Sequence, residues 1–165
     1  MIEPRFCLRC GAPLVPHEEE GRTRRRCGGR DGAAGCGWVH YGNPTPVVAA
    51  IVQQGDEVVL VRNRGWPEGW FGLVTGFLEA GEKPEEGVLR ELREELGLEG
   101  EIRELVGVYA FTQRNELIVA YHVEARGELV LGDELEAFKR VPLAKLRPWP
   151  FGTGEAVRDW LMRRS

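Results

Sequence analysis

The segment GFLEAGEKPEEGVLRELREELGL, residues 76–98, places the tightest constraint on how this chain can fold. Pro84 suits the first turn of a helix and Gly97 its end, so a helix is expected over residues 85–96. At 100° per residue, Val88, Leu89, Leu92 and Leu96 fall on one side and would pack onto a sheet. Glu91, Glu94 and Glu95 gather on another arc, with Arg90 at its edge. Like charges three and four residues apart destabilise a helix. A solvated acidic face is the ordinary meaning of such glutamates, but it normally intersperses lysines, and this arc has only arginines at its flank. Convergent carboxylates beside a glycine-rich strand-loop also suit a hard divalent cation, Mg²⁺ or Mn²⁺, which would turn the repulsion into stabilisation.

Around this helix the pattern is mixed. Val47–Gln53 and Glu57–Arg62 read as strands about a Gly55-Asp56 turn, and Leu73–Phe77 as a short strand. Strand-like runs return at Ile102–Phe111 and Leu117–Glu124, and a last helix is expected to run from Thr153, as N-cap, to Arg164. Strands, a central helix, more strands and a terminal helix make an α+β sandwich. The first forty or so residues differ. They hold all four cysteines and show little hydrophobic periodicity, and Gly42–Pro46 reads as a hinge. Two domains are therefore expected, residues 1–42 and 43–165.

With a net charge of −4, the 165-residue chain is not built mainly to grip nucleic acid, although Arg22, Arg24, Arg25 and Arg26 make a local basic run. The longest apolar stretch, near Val47–Val52, is too short to cross a bilayer. The start, MIEPRFCLRC, lacks the features of a secretory signal. A cytoplasmic location is expected, where paired cysteines more often hold metal than form disulfides.

Gly76, Glu82 and the run Arg90-Glu91-Leu92-Arg93-Glu94-Glu95-Leu96-Gly97-Leu98 resemble the Nudix box at each of its nine defined positions. The resemblance implies the α/β/α sandwich of the Nudix hydrolases and a metal-dependent pyrophosphohydrolase. Carried onto these positions, Glu91, Glu94 and Glu95 would be the magnesium ligands, with the Gly76 carbonyl as a further one. Arg90 would hold Glu82 by a charge-assisted hydrogen bond. The bare Cα of Gly87, on the acidic arc, would keep the metals unobstructed. The general base varies within the family. Glu134 resembles a late metal-binding glutamate of NADH-pyrophosphatase-like members, and Glu116 and Glu136 compete with it.

Cys7-Leu-Arg-Cys10-Gly has zinc-knuckle spacing, and Cys27 and Cys36 could complete a closed, structural Cys₄ site for Zn²⁺. Eight residues separate Cys27 from Cys36, where two would be usual. A redox pair at Cys7 and Cys10, cysteines left reduced, and His40 as a replacement ligand are the other readings. The run from Cys36 to Pro44 resembles the end of the zinc ribbon that precedes some Nudix domains.

The expected substrate is a dinucleotide or nucleoside diphosphate of the NADH, FAD or ADP-ribose class, split to AMP and a phosphorylated partner. Trp66, Trp70 and Phe71 would stack on its planar group, or else anchor their own loop. The SQPWPFPxS motif of NADH-pyrophosphatase-like members is missing from residues 101–113. Arg147–Phe151 (RPWPF) has a superficial likeness to it and reads as a helix-docking turn. A rival reading makes the protein a nucleotide sensor whose ribbon binds RNA or protein. Capped RNA and nucleotide sugars are alternative substrates sharing the same chemistry. A homodimer is within what the resemblance implies, since dimers are common in that family.

Overall fold

A computed structural model describes residues 4–164 of the chain, which divide into two compact units at Pro44/Thr45. The first unit is a three-stranded antiparallel sheet of β1 (Leu14–Glu19), β2 (Arg22–Cys27) and β3 (Val39–His40), in that order. Its small core is made of Cys7, Ala12, Leu14 and Cys27, with Cys36 and Trp38 packed against them.

The second unit is organised by β4 (Thr45–Gln54), whose residues Val47 to Gln53 are all buried. A strand covered on both faces reads as a continuous apolar run, which is how this one looks in the sequence. Val48, Ala50 and Val52 face one core, and Val47, Ala49 and Ile51 face the other. The sheet is mixed, in the order β7 (Glu99–Phe111), β8 (Glu116–Arg126), β4, β5 (Glu57–Asn63) and β9 (Leu135–Pro142). β8 runs parallel to β4, and short β6 (Val74–Phe77) pairs with β4 over Val47–Ala50.

Helix α1 (Pro84–Leu96) covers one face through Val88, Leu92 and Leu96. Helix α2 (Gly154–Arg163) covers the other through Ala156, Val157 and Trp160. An α/β/α sandwich results. Among the described residues no helix is long and apolar enough to cross a membrane.

One expectation needs correction and two readings need completing. Thr45 and Pro46 are not a free hinge but the first residues of β4, in register with Glu116 and Leu117. Pro46 lacks an N–H, yet its carbonyl accepts a hydrogen bond from the Leu78 amide, which is all a proline can contribute to a strand. Thr153 does stand at the N-cap of α2, but its side chain makes no capping bond. β1, β2 and β9 carried no clear strand signal: β9 exposes five of its eight residues, so its alternation is weak.

Among the buried titratable groups of this unit is a histidine of β8. His122, 5% exposed, bonds through Nε2 to Gln53 Oε1 at 2.9 Å and packs its ring 4.8 Å from that of Trp160. Burial, followed by the Arg164 charge, holds it below the usual histidine value, despite Glu104 and Glu124 nearby. The unfolded chain therefore takes up this proton first as pH falls, and stability is fully present above the ordinary value of about 6.5 and lost below it. Urea unfolding from about pH 7.5 to about pH 5.5 is expected to show wild type losing stability that His122→Gln does not lose. Parallel curves for the two proteins would show that His122 is not the group responsible.

Candidate functional site

Helix α1 begins where the Lys83 amide donates to the Glu86 carboxylate at 3.0 Å, and it stops at Gly97, whose φ of 64° is the left-handed conformation that glycine adopts without a Cβ penalty. Between these stops the acidic arc is organised by Arg90. Its Nε and Nη2 donate to the two oxygens of Glu82 at 2.8 and 3.0 Å, a bidentate pairing. Its Nη1 donates to Glu91 Oε1 at 2.6 Å and to Glu94 Oε2 at 3.0 Å, and Nη2 also reaches the Phe77 carbonyl at 3.1 Å. The hydrogen bond from Arg90 lowers the Glu82 pKa, and Glu82 raises that of the guanidinium in return. Glu91 and Glu94 thus lie on either side of one cationic nitrogen.

Glu95 is different. Only 5% exposed, it turns towards the core side of the arc, and its Oε2 is buried with no hydrogen-bond partner. Burial first, then the charges of Glu91, Glu134 and Glu94, push its carboxyl up to about 8. Burial likewise raises Glu91. An orphaned buried oxygen among carboxylates is a group lacking its counter-charge, and a donor set made wholly of oxygens suits a hard divalent cation.

Gly76 completes the arrangement. A Cβ at this position would lie 1.8 Å from the carboxyl carbon of Glu91, so the strand and the helix approach here only because there is no side chain. The bare Cα of Gly87 also has a steric reason within the chain. A Cβ there would meet Glu82 Oε2 at 2.9 Å and Leu78 Cδ1 at 3.1 Å, so it makes room for the Glu82–Arg90 pair.

The three late glutamates separate clearly. Glu134 is exposed, on a loop tied to the end of α1 by the Gly132 amide donating to the Glu95 carbonyl at 2.8 Å, and its charge is felt by Glu91 and Glu95. Arg64 steadies that loop through its amide to the Glu134 carbonyl at 2.9 Å and its Nε to the Asp133 carbonyl at 2.5 Å. Glu136 pairs with Arg62 at 3.6 Å. Glu116 lies elsewhere, on the wall of a cavity.

That cavity, of about 770 Å³, lies on the α2 side of the sheet. Trp66, Trp70 and Phe71 line it as a group, and so do Phe111, Trp149 and Phe151. The RPWPF turn does dock α2, since a Cβ on Gly154 would strike the Trp149 carbonyl at 1.8 Å, but its aromatics also form the cavity wall, with Phe151 5.6 Å from Trp70. The sequence showed only a superficial likeness to an aromatic motif, and their distance along the chain hid their place. Thr75 lines this cavity and the next residue, Gly76, abuts Glu91, so one strand separates the aromatic cavity from the carboxylates.

In the first unit, the Sγ atoms of Cys7, Cys10, Cys27 and Cys36 all lie within 4.8 Å of one another. Cys7–Cys36 and Cys10–Cys27 are 3.6 and 3.5 Å apart, near the edge of about 3.8 Å of a tetrahedron built on 2.3 Å zinc–sulfur bonds and far from a disulfide. The long Cys27–Cys36 spacing is taken up by a tight loop: Cβ atoms on Gly29 and Gly35 would each come within 1.9 Å of a backbone oxygen. The amides of Gly29 and Cys36 lower the Cys27 thiol to about 6, favouring the thiolate a metal needs. His40 stacks on Trp38 at 5.9 Å and is not in the cluster.

Residues 43–161 match the family model described as the NUDIX domain. Over 98% of this chain, the "NAD-capped RNA hydrolase NudC" of Pseudomonas aeruginosa is 32% identical, and the chain spans 57% of that relative's length. An "ADP-ribose pyrophosphatase" of Methanocaldococcus jannaschii is 29% identical over 73% of this chain and 75% of its own. The crystal structure of a NUDIX hydrolase from Nitrosomonas europaea superimposes with a TM-score of 0.80 at 25% identity, covering 98% of this chain and 92% of that one.

Two outcomes follow from this geometry. Wild type is expected to gain thermal stability with Mg²⁺ or Mn²⁺, and Gly76→Ala, by forcing Glu91 aside, is expected to lower the melting temperature and remove that gain; an equal gain in the variant would show that the close approach is dispensable. Metal analysis of the purified protein is expected to find about one zinc per chain, lost in Cys7→Ser together with the order of the first unit. A metal-free protein with an unaltered first unit would count against a structural ion.

Proposed function

This chain belongs to the NUDIX family, and from that premise we propose that it hydrolyses the pyrophosphate bond of a nucleoside diphosphate linked to a second group, releasing AMP and a phosphorylated partner. The observation that carries the reading is Glu95: a buried carboxylate with an unpartnered oxygen, flanked by Glu91, Glu94 and Glu134. Glu91, Glu94, Glu95 and the Gly76 carbonyl would hold Mg²⁺ or Mn²⁺. A divalent ion there supplies charge neutralisation for the diphosphate and acidifies a bound water. Arg90 keeps the glutamate side chains oriented through its hydrogen bonds to Glu82, Glu91 and Glu94. Glu134, solvent-accessible beside the cluster, is the carboxylate assigned to accept the proton of the attacking water. The aromatic cavity across β6 takes the planar group of the nucleotide, which stacks on Trp66, Trp70 or Phe71. In the first unit, Cys7, Cys10, Cys27 and Cys36 hold Zn²⁺ as a structural ion.

The names of the two relatives support an adenosine diphosphate substrate, since NAD and ADP-ribose share that unit. A second reading, in which the first unit also touches RNA, is favoured by one observation. Arg22, Arg24 and Arg26 alternate along β2 and so share a face, and Arg24 lies over the Tyr41 ring at 4.6 Å.

The test is product analysis by mass spectrometry with Mg²⁺ or Mn²⁺ and, separately, NADH, NAD⁺, FAD, ADP-ribose, a nucleotide sugar, a nucleoside triphosphate and a short NAD-capped RNA. AMP release from an adenosine-containing member is expected, reduced on the order of a hundredfold or more in Glu95→Gln. Equal turnover in that variant would remove Glu95 from the reaction, and absence of product from every compound would favour a nucleotide sensor.

A further inference from the structure

Glu116 is an anomaly in the aromatic cavity. It opens β8, in register with Thr45 of β4 and Phe111 of β7, and its backbone is thereby held on two sides. Its side chain is 14% exposed and lines the cavity among Phe111, Trp149 and Phe151. The nearest cation is Arg114 Nη1 at 3.9 Å, beyond hydrogen-bonding distance, and Arg114 itself is 64% exposed. An ion pair so long and so solvated does little to offset the cost of a carboxylate set in a mostly apolar wall, whose other polar members are Thr75, Gln113, Arg114 and Thr153. The acidic cluster lies on the opposite face of the sheet, against α1, so Glu116 is not one of the convergent carboxylates. A ring stacked on the cavity's aromatic walls turns its edge, not its face, to the residues between them. A carboxylate accepts hydrogen bonds and donates none. It therefore favours an edge that carries N–H donors and disfavours one that carries only lone pairs.

We propose that Glu116 is the specificity-determining residue of this cavity, accepting a hydrogen bond from the amino group or ring N–H of a nucleobase stacked there, so that amino-bearing purines are selected over purines without an N–H on the base. The assignment rests on the cavity being the nucleotide subsite of the function proposed above. Catalysis needs no direct part from Glu116, which acts on which base is held. Its removal therefore changes the ranking of nucleotides and leaves the carboxylate cluster in place.

The test measures binding of product-like monophosphates by quenching of tryptophan fluorescence, since Trp66, Trp70 and Trp149 line the cavity. The probes are AMP, GMP and purine riboside 5′-monophosphate, the last having no N–H on its base, with wild type, Glu116→Gln, Glu116→Ala and Arg114→Ala. Wild type is expected to prefer AMP and GMP over purine riboside monophosphate by about tenfold, as a charge-assisted hydrogen bond would give. The preference is expected to shrink in Glu116→Gln, vanish in Glu116→Ala and persist in Arg114→Ala, with melting temperatures showing that each variant is folded. Equal losses for AMP and purine riboside monophosphate in Glu116→Ala would put the carboxylate on the ribose or in a structural role, and so overturn the proposal while leaving the nucleotide subsite standing. Failure of all three probes to bind wild type, alongside AMP release from a dinucleotide in the product assay, would overturn the proposal and the subsite but not the reaction. Failure of both assays would overturn the reaction as well.

Discussion

Most of the acidic face hangs on one guanidinium. Arg90 has five N–H groups, and all five are used: two on Glu82, one each on Glu91 and Glu94, and one on the Phe77 carbonyl. Without it, the carboxylates of Glu82 and Glu91, 14% and 13% exposed, would lose the charge that answers them. The network also ties together three successive pieces of chain: the end of β6, the loop carrying Glu82, and α1. Gly76 and Gly87 are its steric conditions, since a methyl group at either would press on a glutamate that Arg90 holds.

Glu95 stands outside that network, and the contrast gives the site its character. Arg90 neutralises the carboxylates nearest to it, while Glu95 is left buried, raised and with an unpartnered oxygen. A purely structural acidic face would place its least solvated carboxylate nearest its cation. Here the least solvated carboxylate is the one held back, which is the arrangement expected where a second positive charge arrives from outside the chain. The same division of labour extends across β6. Consecutive residues Thr75 and Gly76 serve opposite faces, so the aromatic cavity and the carboxylate cluster are separated by the thickness of a single strand.

How much of this was legible depended on whether the relevant spacing was local. Helix α1, its stop at Gly97, the grouping of Glu91, Glu94 and Glu95, and the Arg90–Glu82 pairing all follow from separations of a few residues or from the motif that contains them. The four cysteines were legible as a set, but not the fold of the Cys27–Cys36 loop. Its closure relies on Gly29 and Gly35 passing within van der Waals distance of other backbone atoms, and this is a property of the packed loop alone. β9 and the β1–β2 hairpin were not legible because strands exposed along most of both faces lose the alternation that marks them.

By itself, then, the sequence determined the elements whose physics is short-ranged: an amphipathic helix with one acidic arc, a doubly buried central strand, and a thiol-rich N-terminal module. Tertiary structure alone decided which distant residues share a space. Trp149 and Phe151 lie some eighty residues after Trp66 and Trp70, yet all four face one cavity because α2 docks on the face of the sheet from which that cavity opens. In the sequence, a resemblance singled out Glu134 while Glu116 and Glu136 remained its competitors, and nothing local separated the three. Strand register put the first in the aromatic wall, a loop folded onto the end of α1 put the second beside Glu95, and β9 gave the third to Arg62. Charge and hydrogen-bonding capacity belong to each residue type, but what each carboxylate faces depends on contacts made across the whole sheet, and no local pattern encodes those.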